Sequence, residues 1–167
     1  SIVDLKHWDL AFDVLLKGPL DLLSKLQHLM TGLFSSVVMI GSTNSKFVSH
    51  QPLVYHLAKA AMDHSTRVLA KNFAPHGVRV NCISPALINI HDEGRIVERN
   101  NNNEAAMLAC TPTGMPTTPN EIAKLVDLIG SKELTSFTGQ VIQLDGGTTV
   151  MDHFDVAKRA IKEEVDR

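Results

Sequence analysis

Leu5, Trp8, Phe12, Leu15, Leu16, Leu23, Leu26 and Met30 recur at spacings of mainly three and four, which places them on one side of an amphipathic helix over residues 5–30. Asp4 is positioned to cap that helix. Gly18-Pro19 falls inside it, and because proline lacks an amide hydrogen and clashes with the preceding turn, a kink or break is predicted there. Thr31-Gly32 ends it. Val37-Val38-Met39-Ile40 is then an uninterrupted apolar run entering Gly41-Ser42, the pattern of a parallel strand covered on both faces. A polar loop over residues 43–51 follows.

Residues 53–74 are rich in Ala, Leu and Lys, begin behind Pro52 and stop at Pro75-His76-Gly77, so they form a second long helix. Val78-Arg79-Val80-Asn81-Cys82-Ile83 alternates like a strand and runs into Ser84-Pro85. Strand, helix and strand at this spacing predict a right-handed crossover between parallel strands. Residues 89–103 are polar, and 111–119 hold Pro112, Gly114, Pro116 and Pro119, so this region reads as a mobile loop with at most a short helix near residues 104–110. A helix over 121–129 ends at Gly130, and a third strand over 139–144 closes on Asp145-Gly146-Gly147. Alternating charges over 152–167 give a surface helix or a loose tail.

A length of 167 residues fits one domain, 1–167. With 44% hydrophobic and 20% charged residues the chain has the profile of a globular protein, which excludes disordered and collagen-like classes. The formal net charge of -2 leaves no positive field for a nucleic acid. Cys82 and Cys110 allow at most one bridge and no cationic-then-apolar start is present, so the expected location is the cytoplasm. The uncharged run 47–58 is too short to span a membrane. Residues 1–4 lead into a helical pattern with no initiator Met and no preceding strand, so the chain reads as a processed or truncated product.

Tyr55 is the only tyrosine, and Lys59 lies four residues later, so on a helix both point the same way about one turn apart. An ammonium near a phenol favours the phenolate and draws a group of reference pKa about 10 towards proton transfer at neutral pH. The plain alternative is a tyrosine at a helix start beside a solvated lysine. Position adds weight to the chemical reading, because Ser42 stands at the C-terminal end of the preceding strand, where open α/β sheets bind ligands. A hydrolase is disfavoured, since the segment Gly41-Ser42-Thr43-Asn44-Ser45 lacks the second glycine of a nucleophile elbow. A metal centre is disfavoured too: the histidines form no i, i+4 pair and neither cysteine has a C-x-x-C partner.

Ser42, Tyr55 thirteen residues on and Lys59 together resemble the catalytic spacing of the short-chain dehydrogenase/reductase family. The likeness extends to the strand before Ser42, the Ala-rich helix, Val78 to Pro85, Thr111-Pro112-Thr113-Gly114 followed by Glu121-Ile122-Ala123, and the closing strand with Asp145-Gly146-Gly147. It implies an α/β fold: a partial doubly wound, Rossmann-like parallel sheet comprising the last three strands with flanking helices, the carboxyl-terminal two-thirds of the family's fold. The implied activity is hydride transfer between NAD or NADP and a small carbonyl or alcohol substrate. Tyr55 is then the acid/base, Lys59 lowers its pKa and binds nicotinamide-ribose hydroxyls, and Ser42 hydrogen-bonds the substrate oxygen. Pro85, Ala86 and the main chain of Ile88 would approach the nicotinamide.

The resemblance also implies parts that this sequence does not carry. No G-x-x-x-G-x-G turn for the pyrophosphate lies near the amino end, and the strand at Val37 is left with an open apolar edge. Leu15 replaces a relay asparagine, Ala86 a glycine and Ile90 a cofactor-contacting threonine. Leu15 can neither donate nor accept a hydrogen bond. Implied partners are a second copy in a homodimer or homotetramer, packed through the helices at 5–30 and 53–74, and a complementing amino-terminal half. The rival expectation is a non-catalytic remnant or pseudoenzyme retained as an oligomerisation or partner-binding subunit.

Overall fold

Aliphatic runs separated by a covering helix dictate a parallel sheet, and a computed structural model, which describes residues 3–30, 32, 35–89 and 109–165, has that architecture. The strands β1 (Ser35–Ile40), β2 (Val78–Pro85) and β3 (Val141–Leu144) lie side by side in the order β1-β2-β3. Both pairings are parallel, with Val37 opposite Val80, Met39 opposite Cys82, and Cys82 in turn opposite Val141. Helices α1 (Trp8–Phe12), α2 (Gly18–Leu26) and α3 (Leu53–Phe73) precede β2, whereas α4 (Pro119–Gly130) precedes β3 and α5 (His153–Val165) follows it.

Every position of β2 is buried, because successive side chains point to opposite faces and both faces are covered. On one face Cys82 joins Met39 and Met62 of α3, with Leu16, Val37 and Val141 packed around them. On the other, Arg79 reaches the end of α4, donating to the carbonyl oxygens of Ile129 at 2.6 Å, Gly130 at 3.2 Å and Ser131 at 2.9 Å. The last carbonyls of a helix have no partner within it, so this buried guanidinium acts as a cap supplied from the sheet. Asn81 does similar work beside it, donating to Phe137 O at 2.8 Å and accepting from Gln140 N at 3.1 Å.

The predicted interruption at Gly18-Pro19 takes the form of a π-helical turn, Asp13–Lys17, closed by the Gly18 amide on Asp13 O. Widening the turn before Pro19 lets the chain continue as α2 although the proline ring cannot join the regular ladder. The helix start differs from expectation: Asp4 accepts from Lys6 N at 2.9 Å, so it closes a turn ahead of the helix, and α1 begins at Trp8 behind His7, whose φ is 62°. α4 begins earlier than its apolar pattern suggests, because Thr118 and Glu121 form a reciprocal capping box around Pro119. The third strand starts later, since Gly139 adopts a left-handed φ of 75° and Asn81 holds the Gln140 amide. The charged tail is a helix, with Asp152 accepting from the amides of Phe154 and Asp155 at its start. Residues 90–108, including Ile90 and most of the expected short helix at 104–110, lie outside the described residues.

Asp145 organises the turn after β3 by accepting from Gly147 N at 3.0 Å and Thr149 N at 2.8 Å. Gly146 has a left-handed φ of 59°, and a Cβ there would lie 2.6 Å from Thr111 Cγ2, so only glycine admits this contact. Among the described residues β1 pairs on one side only, and its other side opens on a groove of about 450 Å³ lined by Val14, Leu15, Leu22, Val38, Ile40 and Lys59. No helix among the described residues is long and apolar enough to cross a membrane.

Candidate active site

Gly41 leaves β1 with its amide bonded to Ile83 O at 2.7 Å, and Ser42 follows in extended conformation, φ -165°, at the start of a tight turn, Thr43–Ser45. Ser42 is buried and its Oγ accepts from Asn44 N at 3.2 Å, which fixes the hydroxyl oxygen and leaves its hydrogen free to donate. Tyr55 stands in the first turn of α3, half-buried, its ring edge-on to that of His56 at 6.4 Å between centroids. His56 is held in turn by a contact of 2.9 Å between its Nδ1 and Asn44 O.

Lys59 lies one turn further along α3 and is only 8% exposed. Its Nζ is 5.8 Å from the centroid of the Tyr55 ring and donates to Ile40 O at 3.0 Å. Burial holds its pKa below the ordinary value of 10.5, and the neighbouring Cys82 and Asp63 pull it partly back. The structure therefore brings Tyr55 and Lys59 together, and Lys59 grips the strand two residues before Ser42. Among the described residues the three side chains make no direct hydrogen bond to one another, and the groove beside Lys59 is lined by Leu15 and Ile40 but not by Ser42 or Tyr55.

The segment after β2 places the other expected residues. Pro85 is opposite Leu144 in the sheet, and Ala86 N donates to Leu144 O at 3.4 Å. Ile88 forms a parallel bridge with Thr117 in which Thr117 N donates to Leu87 O at 3.1 Å and Asn89 N donates to Thr117 O at 2.8 Å. In such a bridge the groups of Ile88 itself point to the opposite side.

Two buried polar residues near the site, Asp63 and Ser84, escaped sequence reasoning. Asp63, 4% exposed, accepts from Ser45 Oγ at 2.5 Å and lies 3.8 Å from Cys82 Sγ. Burial, with the Asp63 charge second, pushes the Cys82 thiol up to about 11, so it is inert at neutral pH. Ser84 Oγ is buried without a hydrogen-bond partner. The one available signal for Asp63 was its place four residues after Lys59 on the same helix face. Among the described residues no group of three or more His, Cys, Asp or Glu side chains can hold a metal ion.

The family model described as enoyl-(acyl carrier protein) reductase matches residues 2–149. Galactitol 2-dehydrogenase of Rhizobium johnstonii is 34% identical over 116 residues, covering 68% of this chain and 45% of its own length. The structure of a short-chain type dehydrogenase/reductase from Mycobacterium ulcerans superposes with a TM-score of 0.77 at 27% identity, covering 88% of this chain and 54% of the other. A 3-oxoacyl-[acyl-carrier protein] reductase with bound NAD from Brucella melitensis shares the fold at a TM-score of 0.75 and 24% identity, over 87% of this chain and 53% of the other. The chain thus spans about half the length of the relatives it matches. On the family match, together with the parallel sheet and the ordered motifs along it, the chain belongs to the short-chain dehydrogenase/reductase family.

Proposed function

We propose that the chain carries the acid/base half of a nicotinamide-dependent oxidoreductase site acting on a small carbonyl or alcohol. The observation that carries this reading is the buried Lys59 ammonium, 5.8 Å from the ring of the chain's only tyrosine. It sets a fixed positive charge beside the one phenol that could give and take a proton with a bound substrate. In the reducing direction Tyr55 Oη donates its proton to the carbonyl oxygen; in the oxidising direction it accepts the alcohol proton. Ser42, whose oxygen is already held by Asn44 N, donates its hydrogen to the same substrate oxygen. Proton transfer of this kind contributes about 10²–10⁴-fold to a rate.

The residues present fit one end of NAD or NADP. Lys59 offers a buried ammonium for ribose hydroxyls, and Ile88 turns its amide and carbonyl away from the Thr117 bridge, free to meet a carboxamide. On this reading Pro85 and Ala86, which precede Ile88 in the chain, would approach the nicotinamide too, the Ala86 methyl taking room that a glycine would leave. When bound, the nicotinamide supplies the hydride. The pyrophosphate end has no counterpart among the described residues: the Gly146-Gly147 turn is packed against Thr111 and Pro112, where a Cβ would lie 2.6 Å and 2.9 Å from side-chain atoms, and leaves no cradle. Cofactor binding therefore calls for a glycine-rich strand, turn and helix docked on the open side of β1.

The test is fluorescence titration of NADH and NADPH against the chain complemented with the amino-terminal half of a family member, beside a Lys59→Met control. Binding that is lost in the Lys59→Met chain supports the reading. Absence of binding in an assembled complex overturns it.

A second reading is favoured by Leu15, which lines the groove beside Lys59 with an isobutyl group that cannot relay a proton. On that reading the chain is a non-catalytic subunit retained for self-association or partner binding. It predicts stable dimers or tetramers in sedimentation equilibrium with no nicotinamide binding even after complementation.

A further inference from the structure

Asp63 is a buried carboxylate, and such a group is costly unless hydrogen bonds offset its lost hydration. Both of its oxygens are engaged by other elements. Oδ2 accepts from Ser45 Oγ at 2.5 Å, and Oδ1 faces Cys82 Sγ at 3.8 Å. Ser45 closes the turn that Ser42 opens, its amide donating to Ser42 O at 3.0 Å, and Cys82 belongs to the central strand. One side chain of α3 thereby joins the exit of β1, the body of β2 and the helix that bears Tyr55 and Lys59. Gly41 makes the approach possible, since a Cβ there would lie 3.2 Å from Asp63 Oδ1 and 2.8 Å from Cys82 Sγ.

We propose that Asp63 is a positioning residue for the site, holding the turn of Ser42 against the helix of Tyr55 and Lys59. The proposal rests on the reading of those three residues as the reacting set. Helical spacing supports it, because Tyr55, Lys59 and Asp63 recur every four residues and share one side of α3. Electrostatics agree: the groups acting on Lys59 are Cys82 from β2 and Asp63 from its own helix, and both favour the ammonium. Arg67 donates to the main-chain oxygen of Asp63 at 3.2 Å, not to its carboxylate. An amide at this position therefore keeps the shape of the bridge and removes its charge.

The experiment is NMR on the full chain, following the Lys59 side-chain titration with ¹³C-labelled lysine and hydrogen exchange of the Thr43–Ser45 amides. Asp63→Asn is expected to shift the Lys59 midpoint downward while the turn amides stay close to the parent. Ser45→Ala is expected to leave that midpoint in place and to speed exchange in the turn on the order of fivefold, the equivalent of one net hydrogen bond. An unmoved Lys59 midpoint in Asp63→Asn, or unchanged exchange in Ser45→Ala, overturns the proposal. Neither variant deletes volume from the core, so both report on a folded chain. The readouts need no cofactor, so failure of nicotinamide binding and failure of the Asp63 bridge are separate results.

Discussion

The Lys59 ammonium donates to the carbonyl oxygen of Ile40 at 3.0 Å, on the side of β1 that faces away from β2. Gly41 N bonds to β2, so the groups of the preceding residue point to the open edge of the sheet. Lys59 thus satisfies an acceptor that no strand among the described residues reaches. Ile40 is 41% exposed, so water can replace the lysine there. Lys59→Met is expected to change stability by less than about 1 kcal/mol in urea titration, because a lost hydrogen bond is offset by relief of a buried charge. A loss of several kcal/mol would assign Lys59 a structural role.

Arg79 links β2 to the end of α4 through three carbonyls. Replacing it by Met leaves those acceptors buried and unpaired, and a loss of about 3 kcal/mol is expected from denaturant unfolding. Arg79→Lys recovers part of this, since one ammonium cannot span three acceptors in a planar fork.

The Cys82 thiol gives a pH dependence with a definite sign. Its pKa is raised by burial from 9.0 to about 11 in the folded chain, so its contribution to stability is complete below pH 9 and is lost as pH climbs through 11. Roughly 2–3 kcal/mol disappears across that interval. Lys59 works in the opposite sense, its folded pKa being lowered from 10.5, so it returns stability as pH approaches 10.5. Comparing the alkaline slope of unfolding free energy in the parent and in Cys82→Ala isolates the thiol. The same burial predicts that a thiol reagent at neutral pH labels the partly exposed Cys110 well before Cys82.

Gly41→Ala is expected to cost about 1–3 kcal/mol, because its Cβ would sit 2.8 Å from both Cys82 Sγ and Ser84 Oγ. Adding Cys82→Ala opens space on one side, so the double variant should be less destabilised than the sum of the two single changes.

Periodicity and punctuation carried most of the architecture. The apolar run at Val37, the long helix behind Pro52 and the alternation from Val78 are strong local signals, and each became the expected element. The serine, tyrosine and lysine spacing was equally readable, since it depends on a strand end and a single helix. Arg79, Asn81 and Asp63 were not readable, because their partners lie 50, 56 and 18 residues away in sequence and only the sheet brings them together. The capping box is a different case: Thr118-Pro119-Asn120-Glu121 was visible as a motif, and an emphasis on apolar periodicity passed over it.

The π turn between α1 and α2 changes how the first helical region can vary. The wide turn at Asp13–Lys17 sets the rotation of α2 relative to α1, and Leu23 is the residue of α2 that is buried in that setting. Excising a single residue from this turn would turn α2 relative to α1 and force Pro19 against the tightened turn before it. Single-residue deletions here should therefore harm the protein more than most point substitutions at the same positions.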